Sequence, residues 1–138
     1  MTPAADAVIR IVAGVIVDAR NHVLVVRKRG TSSFMQPGGK IERGEAPLEA
    51  LVREVREELG SAIDPSSARA LGRYSAVAAN EPGHVVDADL FSVVLDGVPR
   101  PAAEIDEIAW VDPHAPGGLE LAPLTAHTVL ALVRDGLS

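Results

Sequence analysis

The chain has no cysteine, and its 138 residues include one tryptophan, one tyrosine and two phenylalanines. The first absence excludes disulfides, thiolate metal sites and cysteine nucleophiles. The second means that a core must be built mostly from Val, Leu, Ile and Ala, which the 47% hydrophobic content supplies. Basic residues are outnumbered: 13 Lys and Arg against 19 Asp and Glu give a net charge of −6. Such a surface argues against a nucleic-acid polymer as partner, because phosphate backbones are held by a basic face. A small phosphorylated ligand stays open, since a metal can supply the local positive charge. No apolar run approaches the roughly 20 residues needed to cross a bilayer. The N-terminal MTPAADAVIR lacks the basic start and long apolar stretch of a signal peptide. The expectation is a cytoplasmic protein without membrane contact, folded as one domain over 1–138 with 1–6 as a loose leader.

What the chain does have is concentrated between Gly38 and Gly60, GGKIERGEAPLEALVREVREELG. Pro47 suits the first turn of a helix, where its missing N–H has no partner anyway. Leu48, Leu51, Val52, Val55 and Leu59 then recur at helical spacing and form one apolar stripe. At roughly 100° per residue, Glu54, Glu57 and Glu58 fall together on another face. Like charges one turn apart repel, so three clustered carboxylates call for a cation. Arg53 and Arg56 supply part of it, and a hard divalent ion with oxygen ligands would supply the rest. An acidic helix face alone is equally well a solvated surface. The turn before it separates the two readings. Gly38 and Gly39 follow Pro37, and glycines let a backbone approach a ligand closely.

Gly39, Glu45, Arg53, Glu54, Glu57, Glu58 and Gly60 match all seven fixed polar or glycine positions of the pattern G-x5-E-x7-R-E-U-x-E-E-x-G-U, where U is a bulky aliphatic. This resembles the Nudix box, and the chain resembles the MutT-like members of the Nudix hydrolase family. One position departs: Ser61 stands where an aliphatic residue is expected, with Ile63 two residues on. The resemblance implies an α/β fold, an α/β/α sandwich with a mixed β-sheet flanked by helices. It also implies a Mg²⁺- or Mn²⁺-dependent enzyme that hydrolyses a nucleoside diphosphate linked to another moiety. Nucleoside triphosphates, ADP-ribose, nucleotide sugars and dinucleoside polyphosphates are all candidate substrates. On this reading Glu54, Glu57, Glu58 and the Gly39 carbonyl hold the ion. Arg53 orients the glutamates, and Glu45 braces Arg53 or joins the metal shell. The general base is Glu54, Glu57 or Glu104; Glu104 and Glu107 stand in an acidic segment where family members often carry a further Glu. The rival from another class is a Nudix-fold module that senses a nucleotide without cleaving it. Dimers are common in the family, so a homodimer is one assembly to expect.

The remaining segments read as a frame. Val8–Val17 reads as a buried strand, followed by a turn at 18–21 and a strand over His22–Lys28, the two forming a hairpin. Arg27, Lys28 and Arg29 end that strand as a basic cluster, either a solvated end or a phosphate contact. Arg27 and Arg29 are taken as the substrate-facing pair, with the backbone of Gly38 and Gly39. Phe34–Pro37 is expected to be a short strand. Asp64–Ser67 breaks the chain, then 68–79 and 84–95 read as paired strands. Asp87 and Asp89 share a face that is turned to solvent or to the acidic helix. Ile108–Val111 is a short strand. Thr125–Arg134 is a closing helix with Thr125 as N-cap. Glu120 and His127 lie near enough to it to touch a base, or are simply exposed.

Overall fold

The computed structural model describes residues 7–137; the segment read as a leader lies outside them. The elements run β1 (Ala7–Val15), β2 (Val23–Lys28), β3 (Gly38–Lys40), α1 (Pro47–Leu59), β4 (Ala62–Val77), β5 (His84–Asp96) and β6 (Ile105–Val111). A π-helical turn, Thr125–Val129, then continues into α2 (Leu130–Arg134).

Four strands form a mixed sheet in the order β3-β1-β5-β4, with β1 parallel to β5 and the other neighbours antiparallel. A second, two-stranded sheet pairs β2 with β6. Strand alternation divides the core into two layers. Ala13, Val15, Val23, Val25, Ala88 and Leu90 pack on the side of the closing helix, with Val129, Leu130 and Val133. Val12, Ile16, Leu24, Val26 and Val93 pack on the other side, against Leu51, Val55 and Leu59 of α1. Both strand faces are therefore covered, which is why β1 and β2 read as nearly continuous apolar runs. The arrangement is the expected α/β/α sandwich.

Helix α1 forms where the periodic stripe predicts. Ala50, Leu51, Val55 and Leu59 are fully buried. At its start the Glu49 carboxylate accepts the Ala46 N–H at 2.8 Å, which satisfies a donor that the helix cannot. At its end the 97–102 loop folds back: Arg100 and Ala102 donate their backbone N–H to the carbonyls of Leu59 and Glu58, each at 3.0 Å. Ser61, the departure from the aliphatic pattern, is buried and donates to the Val98 carbonyl at 3.1 Å. The packing role passes to Ile63, which lies in the α1-side core.

Several expected boundaries are corrected. β1 and β2 do not form a hairpin ladder. They meet at the Val17–Val23 bridge and the Leu24 N–H to Ile16 carbonyl bond, and β2 finds its partner in β6. The short strand lies at Gly38–Lys40 rather than 34–37, because the glycines themselves pair with Val12 and Ala13 of β1. Asp64–Ser67 is not a break but a bulge inside β4, across which the register jumps from Asp64–Val94 to Arg69–Ser92. β6 begins at Ile105, three residues earlier than expected. Thr125 is not an N-cap, since Leu124 before it is already helical.

Candidate active site

The glycine strand and the acidic helix meet as the sequence predicts, and the contact is close. A Cβ placed on Gly38 would lie 2.1 Å from the Val12 carbonyl oxygen, and its φ of 149° is one that L side chains rarely adopt. Only glycine lets β3 approach β1 here. A Cβ on Gly39 would lie 2.7 Å from the Glu54 carboxyl carbon. The second glycine thus leaves the space that the Glu54 carboxylate fills.

Glu58 is buried, with 2% of its surface exposed. Its carboxylate accepts the Gly38 N–H at 3.1 Å. Burial pushes its pKa up to about 8, and the neighbouring charges of Glu54 and Glu104 push the same way. The Gly38 bond and the Lys28 ammonium oppose this without cancelling it. A carboxylate desolvated this far favours either a proton or a cation.

Arg53 organises the other acids. It donates to both Glu45 carboxylate oxygens, at 2.7 and 2.9 Å, and to Glu54 at 2.9 Å. It also reaches the Lys40 carbonyl at 3.2 Å, so it ties α1 to the glycine strand. The paired guanidinium holds the Glu45 carboxyl well below the usual carboxylate range, and Glu45 in turn raises the pKa of Arg53. Glu45 therefore braces Arg53. Glu57 lies 4.0 Å from Arg53 with 56% of its side chain exposed.

The helix brings Glu54 and Glu58 together at the glycine strand, while Glu57 stays at the rim. Among the described residues no three acidic or histidine side chains converge closely enough to make a ready metal cage. Glu54 is turned to Arg53 and Glu57 to water. Helical spacing alone does not set where the three carboxylates point.

Glu104 extends toward Lys28, with their charged ends 3.8 Å apart, and stands near enough to Glu58 to affect its charge. The predicted basic pair behaves differently. Arg27 binds Asp106 at 3.1 Å and Glu107 at 3.2 Å, and lies over the Phe34 ring. Arg29 donates to the Ala103 carbonyl at 3.3 Å. Arg27 thus fastens the start of β6, and Arg29 the segment before it. Lys28, which strand alternation turns the other way, lines a cleft of about 130 Å³ together with Gln36, Gly38, Gly39 and Lys40. The Gly38 N–H is taken by Glu58.

Other candidates are engaged elsewhere. Asp87 pairs with Arg73 and Asp89 with Arg10 on the sheet surface. Glu120 accepts hydrogen bonds from Ser32 and Ser33 and so pins the loop between β2 and β3, while His127 is exposed. Gln36 and Thr125 were not among the expected site residues. Both are buried, and they bond to each other at 3.0 Å. For Gln36, a polar residue between Met35 and Pro37 was the available signal.

The family model described as NUDIX domain matches residues 8–132. The ADP-ribose pyrophosphatase of Methanocaldococcus jannaschii is 30% identical over 100 residues, covering 70% of this chain and 58% of that protein. The 8-oxo-dGTP diphosphatase of Haemophilus influenzae is 27% identical, with 93% of each chain covered. The matches to the M. jannaschii, Escherichia coli and Proteus vulgaris relatives span 58%, 43% and 50% of those proteins' lengths. Among solved structures, the Escherichia coli ORF135 protein superposes with a TM-score of 0.73 at 24% identity, covering 94% of each chain. The MutT protein of Methanosarcina mazei superposes with a TM-score of 0.74 at 20% identity, covering 96% of this chain and 97% of that one. With a family model covering nearly all of the sandwich and the box residues lodged at its glycine strand, the chain belongs to the Nudix hydrolase family.

Proposed function

We propose that the chain is a divalent-metal-dependent pyrophosphohydrolase that cleaves a nucleoside diphosphate linked to another moiety, with Mg²⁺ or Mn²⁺ as its ion. The observation that carries this reading is the buried Glu58 carboxylate, set beside Glu54 under the backbone of Gly38 and Gly39. The donor set fits a hard dication in kind. It consists of carboxylate and carbonyl oxygens, and a cation would offset the desolvation that holds Glu58 near neutrality. Glu54 and Glu58 would hold the ion with the Gly39 carbonyl, and the exposed Glu57 would swing in from the rim. When bound, the ion would neutralise diphosphate charge and acidify a coordinated water.

The chain's own residues do the rest. Arg53, locked by Glu45, fixes where Glu54 can stand. Lys28 presents an ammonium to the cleft that runs past the glycines, where a phosphate would lie. Glu54, Glu57 or Glu104 would accept a proton from attacking water.

The test is a substrate panel of nucleoside triphosphates, ADP-ribose, nucleotide sugars and dinucleoside polyphosphates. Each is incubated with Mg²⁺, then Mn²⁺, with chromatographic identification of products. The reading expects cleavage within a diphosphate linkage of at least one class, lost in chelator. Nucleotide affinity with no product under either ion would instead establish a nucleotide-sensing module.

A further inference from the structure

The cleft beside the glycine strand does not end there. It continues into an apolar groove, about 70 Å³, that runs to the closing helix. Ile11, Ala13, Val86 and Leu124 form its apolar walls, and Gln36 lines both parts. Among the described residues no aromatic side chain lines either part, so a ring entering the groove would be held by burial and by its edge, not by stacking.

Gln36 is the polar feature of that edge, and its orientation is fixed. Its amide nitrogen donates to the Gly14 carbonyl at 3.0 Å, and a carbonyl can only accept. Its amide oxygen accepts the Thr125 hydroxyl at 3.0 Å. Thr125 is fully buried and begins the π-helical turn Thr125–Val129. Single π-turns are often found at functional sites. An amide nitrogen has two donors and its oxygen two lone pairs. One donor and one acceptor therefore remain on Gln36 after these two bonds.

We propose that Gln36, positioned by Thr125, reads the hydrogen-bonding edge of a nucleobase bound in this groove and sets the enzyme's base preference. The inference deepens the diphosphate reading above and rests on it for the placement of the phosphates. A paired donor and acceptor matches the edge of a heteroaromatic base, as glutamine does in bidentate base recognition. A sugar does not fit, since its hydroxyls would be buried against aliphatic walls without partners.

The test is an NMR titration of the metal-free protein with four nucleoside 5′-monophosphates and with ribose 5-phosphate, which lacks a base. The variants are Gln36→Leu, Gln36→Glu and Thr125→Val. The wild type should separate the bases. Gln36→Leu should weaken the preferred nucleotide about tenfold or more and compress the spread among bases, leaving ribose 5-phosphate unchanged. Gln36→Glu keeps the size but removes the donor, and should reorder the preferences. Thr125→Val should compress the spread less than Gln36→Leu, and it carries the test if that variant fails to fold. A wild type that binds all bases alike would overturn the proposal, as would variants that weaken ribose 5-phosphate in parallel with every nucleotide. A base spread set by Gln36 with no turnover in the substrate panel would refute the hydrolase reading and leave the groove assignment standing. Turnover with an unchanged spread would do the reverse.

Discussion

Glu58 makes a quantitative prediction about stability. Its carboxyl titrates near 4.5 in the unfolded chain and is pushed up to about 8 in the fold. A folded pKa above the unfolded one means that the fold prefers the protonated acid. The contribution is then fully present below pH 4.5 and is lost as pH rises through about 8. At about 1.4 kcal/mol per pH unit, the full displacement corresponds to roughly 5 kcal/mol. Between pH 5 and pH 8 about 3 kcal/mol of it should disappear. Glu58→Gln carries no titrating group and cannot show this loss. The assay is urea unfolding of both proteins in chelator at several values across that range, comparing the difference between them so that other carboxylates cancel. Wild type should fall relative to the variant by about 3 kcal/mol as pH rises. A relative change below about 1 kcal/mol would show that Glu58 is not desolvated, and the argument for a cation beside it would lose its basis.

Other substitutions separate fold from chemistry. Gly38→Ala places a Cβ 2.1 Å from the Val12 carbonyl at a positive φ, and should cost about 2–4 kcal/mol in denaturant unfolding. Gly39→Ala meets the end of the Glu54 side chain and must push that carboxyl off its bond to Arg53. It should melt within a few degrees of wild type yet lose about tenfold or more of metal-dependent turnover. Glu57→Gln at the exposed rim should leave the melting temperature nearly unchanged and abolish most Mg²⁺-dependent hydrolysis; full activity would remove Glu57 from the site. Leu51→Ala, in the fully buried stripe of α1, should destabilise by about 2–5 kcal/mol while the residual folded protein keeps its KM.

Helix α1 and its contact with the glycine strand were legible because the information is local. The apolar stripe, the proline start and the clustered acids occupy one contiguous segment with one period. Strand pairing was not local. β2 joins β6 from far along the chain, and no turn signal near Asn21 reveals that the hairpin opens instead. Lys28 was recoverable in principle, since alternation along β2 places it opposite Arg27 and Arg29. Gln36 showed only as a polar residue in an apolar stretch, and its bond to Thr125 depends on how the closing helix docks. The missing cage has a similar origin. Spacing put Glu54, Glu57 and Glu58 on one side of a helix, but rotamers and the grip of Arg53 decide where their oxygens point.

The central claim is that this glycine strand and acidic helix form a divalent-cation site. Its most direct measurement is a Mn²⁺ titration followed by paramagnetic broadening of backbone amide NMR signals, with a nucleoside diphosphate present. The account predicts that Gly38, Gly39, Glu54 and Glu58 broaden first, and that Glu58→Gln shifts the titration to higher Mn²⁺. Saturating Mn²⁺ that leaves those four signals sharp while others broaden would contradict it.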